Sequence, residues 1–430
     1  MGPRPSRSLP VGVPPTGLGV KAIHVLLKHL EALMSSAGRR RLRAGGGALA
    51  NPFSRIREIL SRTVFILLAG VALGSAAADR IWLDAKINDQ PVRLCFDSGS
   101  CISALCPQAV KRLGLRFIAG PTNGIVAGHT EDCTLNLDGV VGPANFPVLD
   151  LPANVIADFD GLIGWWTVSP NIVRIDATAS EVAFLAKLPV EAAHWDKFSV
   201  LAITNSGALD LQVPHPGRAD GVICLDTGSD SGLALPAPEW DRWKEAHPHI
   251  LITLKTDFTP SDGFYVTEEA WADKISVGPV ILTDVPITRA GPLGTNRWGE
   301  RYEGTLGLAA LKRLDCIVDG NSGVAYLQAK RTRPPAYSHN RLGAIFIPTV
   351  GQPHQAVAQV VSGSPADEAG VRNGDVLLQV DRLDVTNPLN GWPSRFSLPA
   401  GTRLKLTVKR DGKVITTTAT LREILHPDPN

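Results

Sequence analysis

The stretch LCFDSGS, Leu94–Ser100, runs three apolar residues into an acid, a hydroxyl residue and a glycine, and VICLDTGS, Val222–Ser229, repeats the arrangement. Asp97 and Asp226 are therefore the candidate chemical groups. Carboxyl groups serve as general acids and bases when a fold tunes their proton affinity, and two in matching settings invite a paired role. An Asp-hydroxyl-Gly tripeptide alone also makes an ordinary turn. Typical residue usage gives about 0.2 such tripeptides in a chain this long, and about 0.02 once three apolar residues must precede it. Two occurrences in register are not two unrelated turns. No His–Ser or His–Cys pairing offers a rival nucleophilic triad, and the lone His129 reads as a solvated turn residue.

The elements that must carry these acids are short strands. From Ile81 to Leu327 the chain alternates apolar and polar residues in brief runs broken by Gly, Pro and Asp, as in IWLDAKI before Asn88-Asp89 and PVRLCF after it. This argues for a closed or sandwiched all-β architecture. Helical signal is confined to CPQAVKRLGL after the first motif and APEWDRWKEA after the second. The repeat extends further. DGLIGWWTVSPNIVRIDATASEVAFL from Asp160 aligns with EGTLGLAALKRLDCIVDGNSGVAYL from Glu303, with Gly164 matching Gly307 and Asp176 matching Asp319. Internal similarity of this length implies one unit duplicated into two lobes of like topology that face each other.

The pair FDSGS and LDTGS, with the apolar-apolar-Gly segments Leu162-Ile163-Gly164 and Thr305-Leu306-Gly307, resembles the aspartic proteases. The lobe size is similar to the retroviral-type (retropepsin-like) lobe more than to the larger lobes of pepsin, with both lobes in one chain. The resemblance implies Asp97 and Asp226 as a catalytic dyad, brought together by two-fold symmetry. It implies that the hydroxyls of Ser98 and Thr227 cross between the lobes and fix the two acid loops, although the family more often has Thr at both places. Gly99 and Gly228 would permit the close backbone approach. Ser100 and Ser229 are expected to donate hydrogen bonds to the carboxylates, lowering their pKa values and giving an acidic optimum. Candidate flaps are PTNGIVAGHTEDC, where Gly124 and Gly128 flank Ile125-Val126-Ala127, and TDFTPSDGFYVTEE, with Tyr265.

After Leu327, QAKRTRPPAYSHN is charged, contains proline and lacks an apolar period, which reads as a linker. The remainder resembles a PDZ domain of the bacterial secreted kind, most specifically in SPADEAGVRNGDVLLQVD. Ser364 can cap a short helix that starts at Pro365 and ends at Gly370, and Asp411-Gly412 marks a hairpin. Such domains add an extended peptide to a sheet edge and hold its terminal carboxylate on backbone N–H groups. The resemblance assigns that loop to Leu342, Gly343, Ala344, Ile345 and Phe346, where one glycine stands in place of the usual two. A domain kept for packing against the lobes is the alternative.

The boundaries read as 1–78 for a basic extension and signal peptide, 79–190 and 191–328 for the lobes, 329–340 for the linker and 341–425 for the PDZ domain. Residues 1 to 62 hold eleven Lys or Arg against Glu31 and Glu58. The uncharged run Val64–Ala78 falls short of the roughly 20 residues of a spanning helix, and Ser75–Ala78 supplies the small residues of a cleavage site. Export to the periplasm or outside is expected, with an N-terminal membrane anchor as the variant. Aromatic residues are 6% of the chain, too few to suggest a stacking platform for nucleic acid. Six cysteines, at 95, 101, 106, 133, 224 and 316, match no CxxC zinc spacing, so no metal and no cofactor is expected. Cys95 and Cys224, each two residues before its motif acid, read as small buried hydrophobes.

The fold class is thus mainly β: two pseudo-symmetric acid-protease β-barrel lobes followed by a PDZ domain. The expected function is an exported aspartic endopeptidase acting on peptide or protein substrates. The alternative is a catalytically idle exported scaffold that holds peptides in the cleft and at the PDZ edge.

Overall fold

Asn88 and Asp89 take left-handed conformations, φ 47° and 64°, and turn the chain between β1 (Trp82–Ile87) and β2 (Gln90–Asp97). Ile87 stands opposite Gln90, the two-residue hairpin geometry that favours Asn and Asp at both central positions. The structure is a computed structural model that describes residues 80–120, 126–150, 160–201, 207–259, 263–291, 301–332, 336–349, 352–386 and 391–425. The basic segment, the signal run, Gly124 and Ile125 of the first flap candidate, and residues 260–262 of the second lie outside the described residues.

Along β2 the alternation of buried and exposed residues gives way to continuous burial from Leu94 to Asp97. Here β2 lies in the interior of its sheet, with a strand on each edge. β1 pairs with β2 antiparallel, and β3 (Gly161–Gly164) pairs with it parallel, Leu94 opposite Gly161 and Asp97 opposite Gly164. From Leu94 on, the side chains on both faces of this interior strand are buried, the condition under which a strand reads as an unbroken apolar run, as LCF does ahead of the acid. Burying Phe96, which is fully enclosed, contributes roughly 1.5–3 kcal/mol. After β3 come the single turn α1 (Trp165–Val168) and the hairpin of β4 (Ile172–Asp176) and β5 (Glu181–Leu185).

The second lobe repeats this course. β6 (Asp196–Val200) leads to β7 (Asp210–Val213) and to β8 (Gly221–Leu225), whose five residues are all buried. The helix α2 (Ala237–Ala246) follows, then the strands β9 (Thr253–Thr259), β10 (Gly263–Val277) and β11 (Val280–Arg289). β12 (Tyr302–Leu306) pairs parallel to β8, as β3 does to β2. The turn α3 (Leu308–Leu311) and the hairpin β13 (Leu314–Asp319) and β14 (Val324–Ala329) close the lobe. Asp176 and Asp319, matched in the repeat, do the same local work. Each accepts two backbone N–H groups with Oδ1, from Thr178 and Ala179 in one hairpin and from Asn321 and Ser322 in the other.

The two hairpins meet. β4 pairs antiparallel with β13, and Arg174 stands opposite Ile317. Each of these residues is ten places after the second glycine of its repeat, so the pseudo-two-fold axis passes between them. One sheet consequently runs β5-β4-β13-β14-β6-β7-β8 across both lobes, and one buried cluster contains residues from Ile81 to Leu327.

The C-terminal domain has its own core, from Leu342 to Leu421. β15 (Ala344–Thr349) is the outer strand of its sheet beside β16 (Gln352–Val360), followed by β17 (Val376–Val380), β18 (Arg403–Arg410) and β19 (Lys413–Thr420). The Ser364 hydroxyl accepts from Asp367 N at 3.3 Å at the head of α4 (Pro365–Glu368), and Gly370 follows with φ 82°. Arg410 binds the buried Asp375 through two hydrogen bonds, at 2.6 and 2.7 Å. Burial pushes the Asp375 carboxyl up, but these bonds outweigh it and hold the group below the usual carboxylate range.

Candidate active site

Beyond Asp97 and Asp226 the two strands turn away, and the turns are locked to each other. Ser98 N donates to Thr227 Oγ1 at 2.9 Å, and Thr227 N donates to Ser98 Oγ at 3.0 Å. Each hydroxyl then donates back across the axis, Ser98 to Leu225 O at 2.8 Å and Thr227 to Phe96 O at 2.7 Å. Both side chains are fully buried. A hydroxyl has one proton to give and lone pairs to receive, and serine and threonine use theirs identically here. The departure of Ser98 from threonine leaves this bonding pattern intact.

The acids are placed by the glycines of the opposite motif. A Cβ added to Gly99 would lie 2.4 Å from Asp226 Cγ, and one added to Gly228 would lie 2.5 Å from Asp97 Cγ. Only bare backbone fits in either place. Each carboxyl therefore rests on the loop that carries the other, and the two are 4% and 1% exposed. Gly228 N also donates to Asp226 Oδ1 at 2.9 Å.

Ser100 and Ser229 each bond within their own turn. The Ser100 hydroxyl donates to Ile102 O at 3.0 Å, and Ser229 Oγ shares a hydrogen bond with Ser231 Oγ at 2.7 Å. In each turn the partner is the carbonyl or hydroxyl two residues on. The support they give is through the backbone. Ser100 O accepts from Trp165 N at 3.0 Å and Ser229 O from Leu308 N at 2.8 Å, tying each acid loop to the residue after its glycine segment. Gly164 and Gly307 are needed there, since a Cβ would come within 2.3 Å of Ile102 O and 2.5 Å of Ser231 O.

A buried ionic chain behind the second acid loop escaped the sequence reading. Lys255 Nζ pairs with Asp230 Oδ1, four residues past Asp226, and the Lys255 side chain is 12% exposed. Next to it Glu269 is buried and accepts a hydrogen bond from Tyr337 Oη at 2.5 Å. Burial opposes the charge on Lys255, but Asp230, Glu269 and Asp257 outweigh it and raise its pKa. Burial pushes the Glu269 carboxyl up to about 7, against the pull of Lys255. The only sequence signal was the extra acid of DTGSD, where the first motif has Cys101.

Other candidates fall into place as structure. Cys95 and Cys224 are buried, and burial pushes the Cys95 thiol up to about 12, which leaves it a poor nucleophile. Cys95, Cys106, Cys133 and Cys316 are buried thiols outside any disulfide. His129 is exposed on the strand Val126–Thr130. Tyr265 lies opposite Asp257 in the β9–β10 hairpin and packs on Gly291. Among the described residues no group of three or more His, Cys, Asp or Glu could hold a metal ion. Leu342 and Gly343 converge as a pair of amide donors, Ala344, Ile345 and Phe346 begin β15, and all five are buried.

Residues 83–165 match a family model described as an aspartyl protease, which takes in the first acid motif and Gly164, and residues 340–421 match one described as a PDZ domain. A search of curated proteins found no match for the chain.

Proposed function

We propose that this chain, which carries an aspartyl protease domain and a C-terminal PDZ domain, is an endopeptidase in which Asp97 and Asp226 activate water against a peptide bond. The observation that carries the reading is the reciprocal seating of each acid on the other motif's glycine. Two carboxyls in one buried site resist double ionisation and share a proton, as the paired acids of pepsin do. The ionised member takes a proton from a bound water while the protonated member donates to the peptide carbonyl oxygen. Water oxygen bonds to the carbonyl carbon, and the tetrahedral intermediate then collapses as the amine leaves with a proton, so no covalent enzyme intermediate forms. The titration belongs to the pair, and neither acid is singled out as the base.

The hydroxyl lattice of Ser98 and Thr227 supports this reading by fixing the two loops against each other, since small displacements of reacting groups cost large factors in rate. The basic extension and apolar run ahead of residue 79 support export to the periplasm or beyond, and the PDZ domain supports capture of a substrate or partner peptide. The test is digestion of a mixed peptide library by the wild-type chain, Asp97→Asn and Asp226→Asn, with thermal melts to verify folding. Cleavage by the wild type alone is expected; turnover by either folded variant would refute the reading.

A further inference from the structure

A sheet edge can bind a C-terminal peptide only if its N–H nest and its outward carbonyls are open to the ligand. In this PDZ domain the chain itself fills two amides of the nest and the first outward carbonyl. Leu342 N and Gly343 N both donate to Asn340 Oδ1, at 3.0 and 3.2 Å. Gly343 has φ 70°, and a side chain there would strike Ser364 at 2.3 Å; the bend aims successive amides at a single acceptor, as in an anion nest. Gly343 O faces the neighbouring strand, accepting from Val361 N at 2.9 Å. By the alternation of a β-ladder, Ala344 O therefore points to the open edge. Asn340 Nδ2 donates to that carbonyl at 2.9 Å.

The same amide joins the domain to the second lobe. Asn340 Nδ2 also donates to Leu254 O at 2.9 Å, and the Thr253 hydroxyl donates to Asn340 O at 2.8 Å. Both amide protons and the side-chain oxygen of Asn340 are thus engaged. Its contacts are those a terminal residue would make, with the oxygen in the place of the carboxylate and the N–H group in the place of the ligand backbone.

We propose that the PDZ peptide site of this chain holds an internal ligand, Asn340, which seats the domain on β9 of the second lobe, so that an outside C-terminal carboxylate binds only by displacing it. This rests on the peptide-binding reading of the PDZ domain but requires no catalysis, so a chain that cut nothing would still test it.

The probe is a fluorescent peptide with an apolar, free C-terminal residue, compared with its C-terminal amide, by anisotropy on the full chain. Asn340→Gly, which opens the nest, is expected to bind the free acid at least about tenfold more tightly than wild type, and the amide form no better than wild type does. Equal affinity of wild type and a folded Asn340→Gly for the free acid, or no preference for acid over amide in the variant, would overturn the proposal. Should Asn340→Gly fail to fold, hydrogen exchange on the wild-type chain decides: protection of the Leu342 and Gly343 amides that the free-acid peptide relieves or replaces is expected, and exchange at unprotected rates would refute the internal ligand.

Discussion

Gly99 lies so close to Asp226 that a methyl group on its α-carbon would sit 2.4 Å from the carboxyl carbon, and Gly228 stands in the same relation to Asp97. Gly99→Ala must therefore push Asp226 or its own loop aside. A displacement of about 1 Å at reacting groups costs roughly a hundredfold in rate. A fall in kcat/KM of at least about that size is expected for Gly99→Ala and for Gly228→Ala, measured on a peptide the wild type cleaves. Unchanged kcat/KM in either would mean the acids do not meet as described.

The crossed hydroxyls make a second prediction. Ser98→Ala removes the acceptor of Thr227 N and the hydroxyl donor to Leu225 O, and Thr227→Val removes the acceptor of Ser98 N and leaves Phe96 O with only the weak Cys95 thiol donor at 3.9 Å. Leaving buried polar groups unpaired costs about 1–3 kcal/mol for each. Urea unfolding should show a loss of at least about that for each variant, and the double variant should depart from additivity because both act on one pair of loops. Wild-type midpoints would contradict the lattice.

Glu269 makes stability depend on pH. Its carboxyl is pushed by burial from 4.5 to about 7, so between those values the folded chain holds a proton that the unfolded chain has lost. The stability from this group is complete below 4.5 and disappears as pH rises through about 7. His339 has the opposite sign, since burial and then Arg341 lower it from 6.5 to about 4 and its contribution is lost as pH falls through that range. The difference between wild type and Glu269→Gln isolates the first effect. The wild-type melting temperature should fall relative to Glu269→Gln as pH rises from 4.5 to about 7; parallel curves would count against it.

Local chemistry is what the sequence displayed. The acids, the glycine segments, the Asn88-Asp89 turn and the Ser364 cap follow from residues a few positions apart. The pairing of Arg174 with Ile317 and of Lys255 with Asp230 joins residues far apart in the chain, and no periodicity announces such partners. The hydroxyl partners of Ser100 and Ser229 are equally hard to read from a motif. A serine in a tight turn has a backbone or hydroxyl partner within reach two residues on, which a motif does not display. Residues 329–340, charged and aperiodic, read as a spacer, yet Tyr337 and Asn340 are bonded into the second lobe.

The paired acids can be tested without turnover. A peptide bearing a statine-type hydroxyl in place of the scissile carbonyl needs both carboxyls in one place, and titration calorimetry reads its binding directly. One inhibitor per chain is predicted, with affinity reduced at least about a hundredfold in Asp97→Asn and in Asp226→Asn, as expected for a transition-state mimic. Binding of equal strength in all three proteins, or none to a folded wild-type chain, would contradict the assembled dyad.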